Sequence, residues 1–260
     1  MQTDGFFITH NLNTPKKKGE FDLFEGSYFQ LRCKEKRIYS NSELAHLPEI
    51  SPSHPHFKEW QLRKKSANKL LRWLAKKTTS LDILEVGCGN GWLAKLLAGI
   101  QGSRVTACDI NRSELQQAAT VFAEIQGLHF MYGDIRNGLF DKNSFDCIVF
   151  AASIQYFPSL QEIISTALSL LKTNGELHIL DTPFYKQTDI EAAKKRTTDY
   201  YNSMGFPEMA LHYFHHGWQA MEKFDYQLLY NPAALQHFFS TTKNPFPWLC
   251  IKQAAVAKLV

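Results

Sequence analysis

The stretch LDILEVGCGNGWLAKLLA, residues 81–98, restricts the possible folds of this chain more than any other feature. A short apolar run leads into Gly87, Gly89 and Gly91, and apolar residues at helical spacing follow. The alternation of apolar strand and helix then continues through RVTACDI, LHFMYGDI, FDCIVFAAS and GELHILDT. Short strands that alternate with helices indicate βαβ units and therefore a mostly parallel sheet.

The predicted architecture is a doubly wound α/β fold, because right-handed crossovers place the helices on both faces of the sheet. The spacing of apolar residues predicts helices over about 57–77, 92–100, 112–126 and 159–172. In such a sheet the ligand binds across the carboxyl ends of the strands.

Two segments lie outside this repeating pattern. Residues 1–80 form a predicted N-terminal helical or lid segment, of which residues 1–20 are polar and expected to be disordered. Residues 81–260 form the α/β domain, with an insertion at 184–230. Both segments carry aromatic residues among polar ones, so we expect them to form a lid over the ligand site.

Composition and charge fit a cytoplasmic protein. The hydrophobic content of 44% is ordinary for a globular chain, and no apolar run reaches the roughly 18 residues of a membrane span. The N-terminus lacks the pattern of a secretory signal, and the five cysteines form no CxxC pair. The net charge of +4 permits nucleic-acid binding without indicating it.

The glycine turn favours an amino-acid head group over a phosphate. Its order is G-x-G-x-G, and Trp92 stands where a dinucleotide fingerprint has its last glycine. No Gly-Lys-Ser/Thr follows, as a triphosphate loop would need. Glu85, just before the turn, would repel a pyrophosphate but suits an ammonium group. The start of the following helix suits a carboxylate.

The sequence EVGCGNG resembles motif I of the class I S-adenosylmethionine-dependent methyltransferases, and the resemblance extends over roughly residues 81–181. It implies a Rossmann-like, mostly parallel sheet of seven strands whose last strand, within NPFPWLCIKQ, is antiparallel. It also implies S-adenosyl-L-methionine as cofactor and S-adenosyl-L-homocysteine as product. In ACDI and YGDI, Asp109 would bind the ribose hydroxyls and Asp134 would face the adenine amino group. The cofactor-binding residues implied by the resemblance are Glu85, Gly87, Cys88, Gly89, Asn90, Gly91, Asp109, Ile110, Asp134, Ile135 and Ala151.

Each of these residues also has a structural interpretation. Asp109 could cap the helix that follows it, and Asp134 could form a turn before Ile135. Glu85 could pair with a lysine instead of a ligand. Cys88, between two glycines, is better explained as a small tolerated residue than as a nucleophile, because methyl transfer from a sulfonium needs none.

The segment AASIQYF after the fourth strand resembles the small-molecule and lipid branches of this family, which implies a small-molecule or lipid-like acceptor. It lacks the Asn/Asp-Pro-Pro-Tyr/Phe element and the Pro-Cys nucleophile of DNA-modifying relatives, so nucleic acid is not the expected partner. We expect Tyr28, Tyr39 and Tyr156 to bind the acceptor, and Tyr156, His215 and His216 to be catalytic. Tyr156 could instead pack on the adenosine. The histidines of YFHHGW could instead sit beside aromatics in a helix, and no metal site is expected.

Other functional classes remain open at this stage. The chain could bind the cofactor without turnover, as a subunit or sensor, or it could methylate protein or RNA. A nicotinamide oxidoreductase is disfavoured by the glycine spacing, Trp92 and Glu85.

Overall fold

The computed structural model describes residues 7–8, 18–77, 80–234 and 244–253. Most of the segment 1–20 therefore lies outside the described residues, and so does the prediction that it is disordered. The helices are α1 (Lys18–Lys34), α2 (Asn41–His46), α3 (Phe57–Leu74), α4 (Trp92–Ala98), α5 (Arg112–Val121), α6 (Leu160–Leu170) and α7 (Ile190–Met204). The strands are β1 (Phe7–Ile8), β2 (Asp82–Val86), β3 (Arg104–Asp109), β4 (Leu128–Tyr132), β5 (Phe145–Ala151), β6 (Leu171–Leu180), β7 (Tyr226–Tyr230) and β8 (Trp248–Lys252).

One mixed sheet carries the fold, in the order β1-β4-β3-β2-β5-β6-β8-β7. The strands from β1 to β6 pair in parallel, whereas β8 is antiparallel to both of its neighbours, β6 and β7. The predicted doubly wound sheet of seven strands is thus confirmed, with the two-residue β1 added at one edge. The last strand, β8, is antiparallel as the resemblance implies. It was expected at the edge of the sheet, but it lies one strand inside it, because β7 pairs with its outer side.

The predicted helices are present but end earlier than expected. The helix expected over 112–126 ends at Val121, and the one expected over 159–172 ends at Leu170, where β6 begins at once. Ser159 caps α6, since its hydroxyl accepts the Glu162 N–H at 3.1 Å.

Both faces of the sheet are covered, so consecutive residues of a strand can both be buried. Ile83 and Leu84 are neighbours on β2 and are both fully buried, yet they belong to different core clusters. The cluster around Ile83 includes Trp60 of α3, and the cluster around Leu84 includes Ile163 of α6. Over the described residues, no helix combines the length and apolar character that crossing a bilayer requires.

Candidate active site

A cavity of about 700 Å³ lies at the carboxyl ends of the parallel strands, where a doubly wound sheet binds its ligand. Its wall includes the residues that follow β2, β3, β4, β5 and β6. Side chains from both lid segments also line it, among them Tyr28 and Tyr39 from the first and Tyr201 and Tyr213 from the second.

The glycine turn is fixed by backbone hydrogen bonds and by close packing. The N–H groups of Gly87 and Cys88 donate to the carbonyl of Cys108 on β3, at 2.8 and 3.2 Å. Gly87, Gly89 and Gly91 have φ of +71°, +53° and +73°, values that favour glycine. A Cβ at Gly91 would lie 2.6 Å from Cε1 of Phe130, so space excludes a larger residue there as well.

Glu85 is a buried carboxyl without a cation. It is 2% exposed, and its Oε2 has no hydrogen-bond partner. Loss of solvent, together with the charge of Asp109, raises its pKa to about 8. Among the described residues no lysine or arginine forms a salt bridge with it, so that part of the chain supplies no lysine partner. An orphaned carboxylate oxygen beside the glycine turn fits the ammonium group of an amino-acid ligand.

Asp109 holds the turn rather than capping the next helix. Its Oδ2 accepts the Gly89 N–H at 2.7 Å, and its Oδ1 accepts the Asn111 N–H at 2.8 Å. The cap of α5 is Asn111, whose side chain accepts the Glu114 N–H at 3.1 Å. Each oxygen of Asp109 keeps a further lone pair, so the carboxylate can still accept ligand hydroxyls.

Asp134 combines the two interpretations made from the sequence. It lines the cavity, and it also caps the short 3₁₀ turn Ile135–Asn137 through the Arg136 N–H at 2.9 Å. The Arg136 side chain binds the same carboxylate, with Nε 3.0 Å from Oδ1 and Nη2 2.5 Å from Oδ2. An adenine amino group would therefore share this carboxylate with an arginine.

Of the remaining residues of the expected cofactor site, Gly91 does not line the cavity and packs against Phe130 instead. The others line it: Cys88, Asn90, Ile110, Ile135 and Ala151. Cys88 is buried, and desolvation raises the pKa of its thiol well above the usual value. This supports the interpretation of Cys88 as a small packing residue, since a nucleophile would need a low thiol pKa.

The tyrosines expected to bind the acceptor all line the cavity. The Tyr156 hydroxyl accepts a hydrogen bond from Nη2 of Arg32 at 3.1 Å, and the same guanidinium lies 4.5 Å from the Tyr28 ring centroid. Tyr39 is more deeply placed, and its hydroxyl accepts the indole N–H of Trp60 at 2.8 Å. Arg32 thus orients two of the three tyrosines.

His215 and His216 lie outside the lining of this cavity, which differs from the expectation that both surround it. The segment around them is extended, not helical, so adjacent side chains leave the backbone on opposite sides. Nε2 of His215 is 2.8 Å from the Thr197 hydroxyl, and its ring packs 5.2 Å from that of Tyr213. His216 is buried with Nε2 3.3 Å from the carbonyl of Ile154, and desolvation lowers its pKa.

Glu114 and Asp181 are among the acidic residues of the cavity that sequence reasoning missed. Glu114 lies in the first turn of α5, where an acidic residue is ordinarily explained by helix capping. Asp181 follows β6 directly, just as Asp109 ends β3, and this shared position could have identified it. Burial raises the pKa of both carboxyls, to about 7 for Glu114.

Three ligand-type side chains, Glu176, His178 and Cys250, lie together on β6 and β8. Glu176 is in a salt bridge with Lys77 at 3.0 Å, and Nδ1 of His178 accepts the indole N–H of Trp248 at 3.2 Å. Glu176 and His178 are therefore already bound to other side chains of the protein.

Comparison with known proteins identifies the domain. Residues 83–175 match a family model described as a methyltransferase domain. A sterol 24-C-methyltransferase of Gibberella zeae is 27% identical over 175 residues, covering 65% of this chain and 44% of that protein. A malonyl-[acyl-carrier protein] O-methyltransferase of Acetivibrio thermocellus is 34% identical over 119 residues, covering 45% of this chain and 41% of that protein. The matched part is thus less than half of either relative.

The fold has solved counterparts as well. The magnesium protoporphyrin IX methyltransferase of Synechocystis PCC 6803 superimposes with a TM-score of 0.56 at 17% identity, over 90% of this chain and 97% of that one. The family match and the shared fold both agree with the glycine turn after β2 and with the acidic residues Asp109, at the end of β3, and Asp134, after β4. Residues 83–175 are thus a methyltransferase domain, which confirms over this range the resemblance to the class I S-adenosylmethionine-dependent methyltransferases.

Proposed function

We propose that this protein is an enzyme that transfers a methyl group from S-adenosylmethionine to a small-molecule acceptor, with S-adenosylhomocysteine as product. The observation that carries the proposal is the unpartnered Oε2 of Glu85, buried beside the glycine turn in the wall of the cavity. Such an oxygen costs free energy in the ligand-free protein, and a ligand ammonium would compensate that cost.

In this proposal, one group of cavity residues binds the cofactor and another binds the acceptor. Glu85 binds the ammonium group, Asp109 accepts the ribose hydroxyls, and Asp134 faces the adenine ring. Tyr28, Tyr39 and Tyr156 bind the acceptor and exclude water. The bound cofactor supplies an electrophilic methyl group on a sulfonium. The main task of the protein is to orient the acceptor towards that methyl, which can lower the barrier by roughly 7–11 kcal/mol.

The described part of the N-terminal lid segment, from residue 18 to residue 77, and the insertion 184–230 close the acceptor side in this proposal. Support comes from Tyr28 and Arg32 of α1 and from Tyr201 of α7, which all line the same cavity. His215 then acts through Tyr213, against which its ring packs, rather than by touching the acceptor. We further propose a cytoplasmic location, since the cysteines are all free and four of the five are buried.

The test has two arms. Calorimetry with S-adenosylhomocysteine, S-adenosylmethionine and NADH should show binding of the first two alone, and Glu85→Gln should weaken both. Methyl-labelled S-adenosylmethionine, incubated with panels of amines, phenols and carboxylic acids, should give labelled product that the heat-denatured protein does not form. Tight NADH binding without binding of the adenosyl compounds would refute the proposal. Binding without turnover on any panel would indicate a sensor or subunit instead.

A further inference from the structure

The charged groups of the cavity are unequally paired. Four of the five basic side chains in its lining are in salt bridges: Arg32, Arg37, Arg63 and Arg136. The fifth is the exposed Lys58. Among the described residues, five carboxyls of the lining have no salt-bridge partner: Glu25, Glu85, Asp109, Glu114 and Asp181. The cavity therefore has several carboxyls without a basic partner and almost no basic side chain without an acidic one, which favours ligands with cationic or N–H groups.

Most of these carboxyls are already engaged. Glu25 accepts hydrogen bonds from the N–H and hydroxyl of Ser113, at 3.0 and 3.2 Å. Glu114 accepts from Asn111 at 3.1 Å and lies beside Gly89 of the turn. Glu85 and Asp109 serve the cofactor in the proposed function, on which this inference rests. Asp181 remains available to bind the acceptor.

The geometry of Asp181 suits that role. Its backbone is left-handed, with φ of +53°, an unfavourable conformation for a residue with a side chain. Oδ1 accepts the Ser66 hydroxyl at 2.6 Å and the Asn244 amide at 3.2 Å. Over the described part of the chain, no protein group donates to Oδ2. One oxygen is thus fixed by two donors, and the other remains for a ligand.

We propose that Asp181 binds the amino group of the acceptor, and that the protein is an N-methyltransferase of small amines. The neutral acceptor nitrogen uses its lone pair to bond the methyl carbon, while the electron pair of the breaking C–S bond goes to sulfur. No proton moves in this step, and the positive charge passes from sulfur to nitrogen. Oδ2 of Asp181, accepting an N–H of the acceptor, stabilises the charge that develops there. The product ammonium later loses a proton to water.

Two sets of matched probes test which functional group the acceptor site prefers. Benzylamine, benzyl alcohol and benzoate share one ring, and hexylamine, hexanol and hexanoate share one chain. Calorimetry on protein saturated with S-adenosylhomocysteine should show that the amines bind at least about tenfold more tightly than their counterparts, as expected for a charge-assisted hydrogen bond. Methyl-labelled cofactor should then label the amines and not the carboxylates.

Asp181→Asn should lower the affinity for the amines by about tenfold or more. The affinities for the alcohols and for S-adenosylhomocysteine should stay within about twofold of the wild-type values. Glu191→Gln, which removes an exposed carboxylate of α7, is the matched control and should change neither. If Asp181→Asn fails to bind S-adenosylhomocysteine, Ser66→Ala decides the question: it removes one of the two donors that fix the Asp181 carboxylate and should weaken binding of the amines alone.

Tighter binding of the carboxylates, no measurable amine binding, or equal amine affinity in wild type and variants would overturn the inference. The proposed function fails separately, through loss of S-adenosylhomocysteine binding by the wild-type protein. The amine preference would in that case be measured on the ligand-free protein.

Discussion

The backbone N–H of Gly89 donates a 2.7 Å hydrogen bond to Oδ2 of Asp109, which ties the glycine turn to the end of the neighbouring strand. One carboxylate therefore shapes the turn and, in the proposed function, also accepts the ribose hydroxyls. Structural and ligand-binding contributions at this position are linked.

Replacing Asp109 by Ala should affect both properties. We expect the free energy of unfolding of the ligand-free protein to fall by about 1–3 kcal/mol, because two partly buried N–H groups lose their acceptor. Affinity for S-adenosylhomocysteine should fall by a further factor of about ten or more. Urea denaturation and calorimetry measure the two effects. Ser159→Ala, which removes the cap of α6 outside the cavity, should cost about 1 kcal/mol of stability and leave affinity unchanged.

Gly91 should not tolerate a side chain, for two reasons that a pair of variants separates. Gly91→Ala places a Cβ 2.6 Å from Phe130 in a backbone with φ of +73°, so strain and a clash combine. Gly138→Ala has a similar φ of +70° but nothing within 4 Å of the added Cβ. We expect about 1–2 kcal/mol of destabilisation for Gly138→Ala and about 1–3 kcal/mol more for Gly91→Ala. Equal losses in thermal unfolding would contradict the packing described for the turn.

The buried Glu85 should make stability depend on pH. Its pKa of about 8 in the folded protein lies above the ordinary value of 4.5, so the folded state holds the proton more tightly. Below that ordinary value both states are protonated, and the group has no effect. As the pH rises from there through about 8, the unfolded chain ionises first and stability is lost.

Relative to Glu85→Gln, the wild-type protein should therefore lose on the order of 3 kcal/mol between pH 5 and pH 9, measured by urea unfolding. Glu191→Gln, at an exposed site, should run parallel to the wild type. A constant difference between wild type and Glu85→Gln across this range would show that Glu85 is not protonated in the fold.

Tyr156 and His215 should differ in their effect on turnover. Tyr156→Phe removes the hydroxyl that Arg32 binds within the cavity, and we expect a loss in kcat with cofactor affinity held within about 1 kcal/mol. His215→Ala removes a ring that packs behind Tyr213, so its effect on kcat should be smaller. The labelled-methyl assay with an acceptor from the panels gives both values. A larger loss of kcat for His215→Ala than for Tyr156→Phe would indicate that His215 contacts the acceptor.

The sequence predicted those parts of the site that depend on local pattern. Gly87, Gly89 and Gly91 follow a recognisable strand, and Asp109 ends the next one, so their positions at one edge follow from the topology alone. The acceptor side depends on contacts between distant segments. Ser66, Asp181 and Asn244 meet through hydrogen bonds that span 115 and 63 residues of sequence, and no local pattern encodes such a meeting.

The histidines show a second limit. His215 and His216 are adjacent, and their placement depends on whether the segment is helical or extended. The aromatic composition of YFHHGW suits either conformation. Two hydrogen bonds to distant residues favour the extended one: the Phe214 N–H donates to the carbonyl of Gln155, and the Tyr185 N–H donates to the carbonyl of His216.

The position of β8 between β6 and β7 has a consequence for synthesis on the ribosome. β7 leaves the ribosome before β8, yet β8 is its only neighbour among the described strands of the sheet. Until residues 248–252 emerge, β6 keeps an open hydrogen-bonding edge and β7 has nothing to dock on. A nascent chain paused before Trp248 would thus expose an apolar strand edge of the kind that recruits chaperones or pairs with another chain.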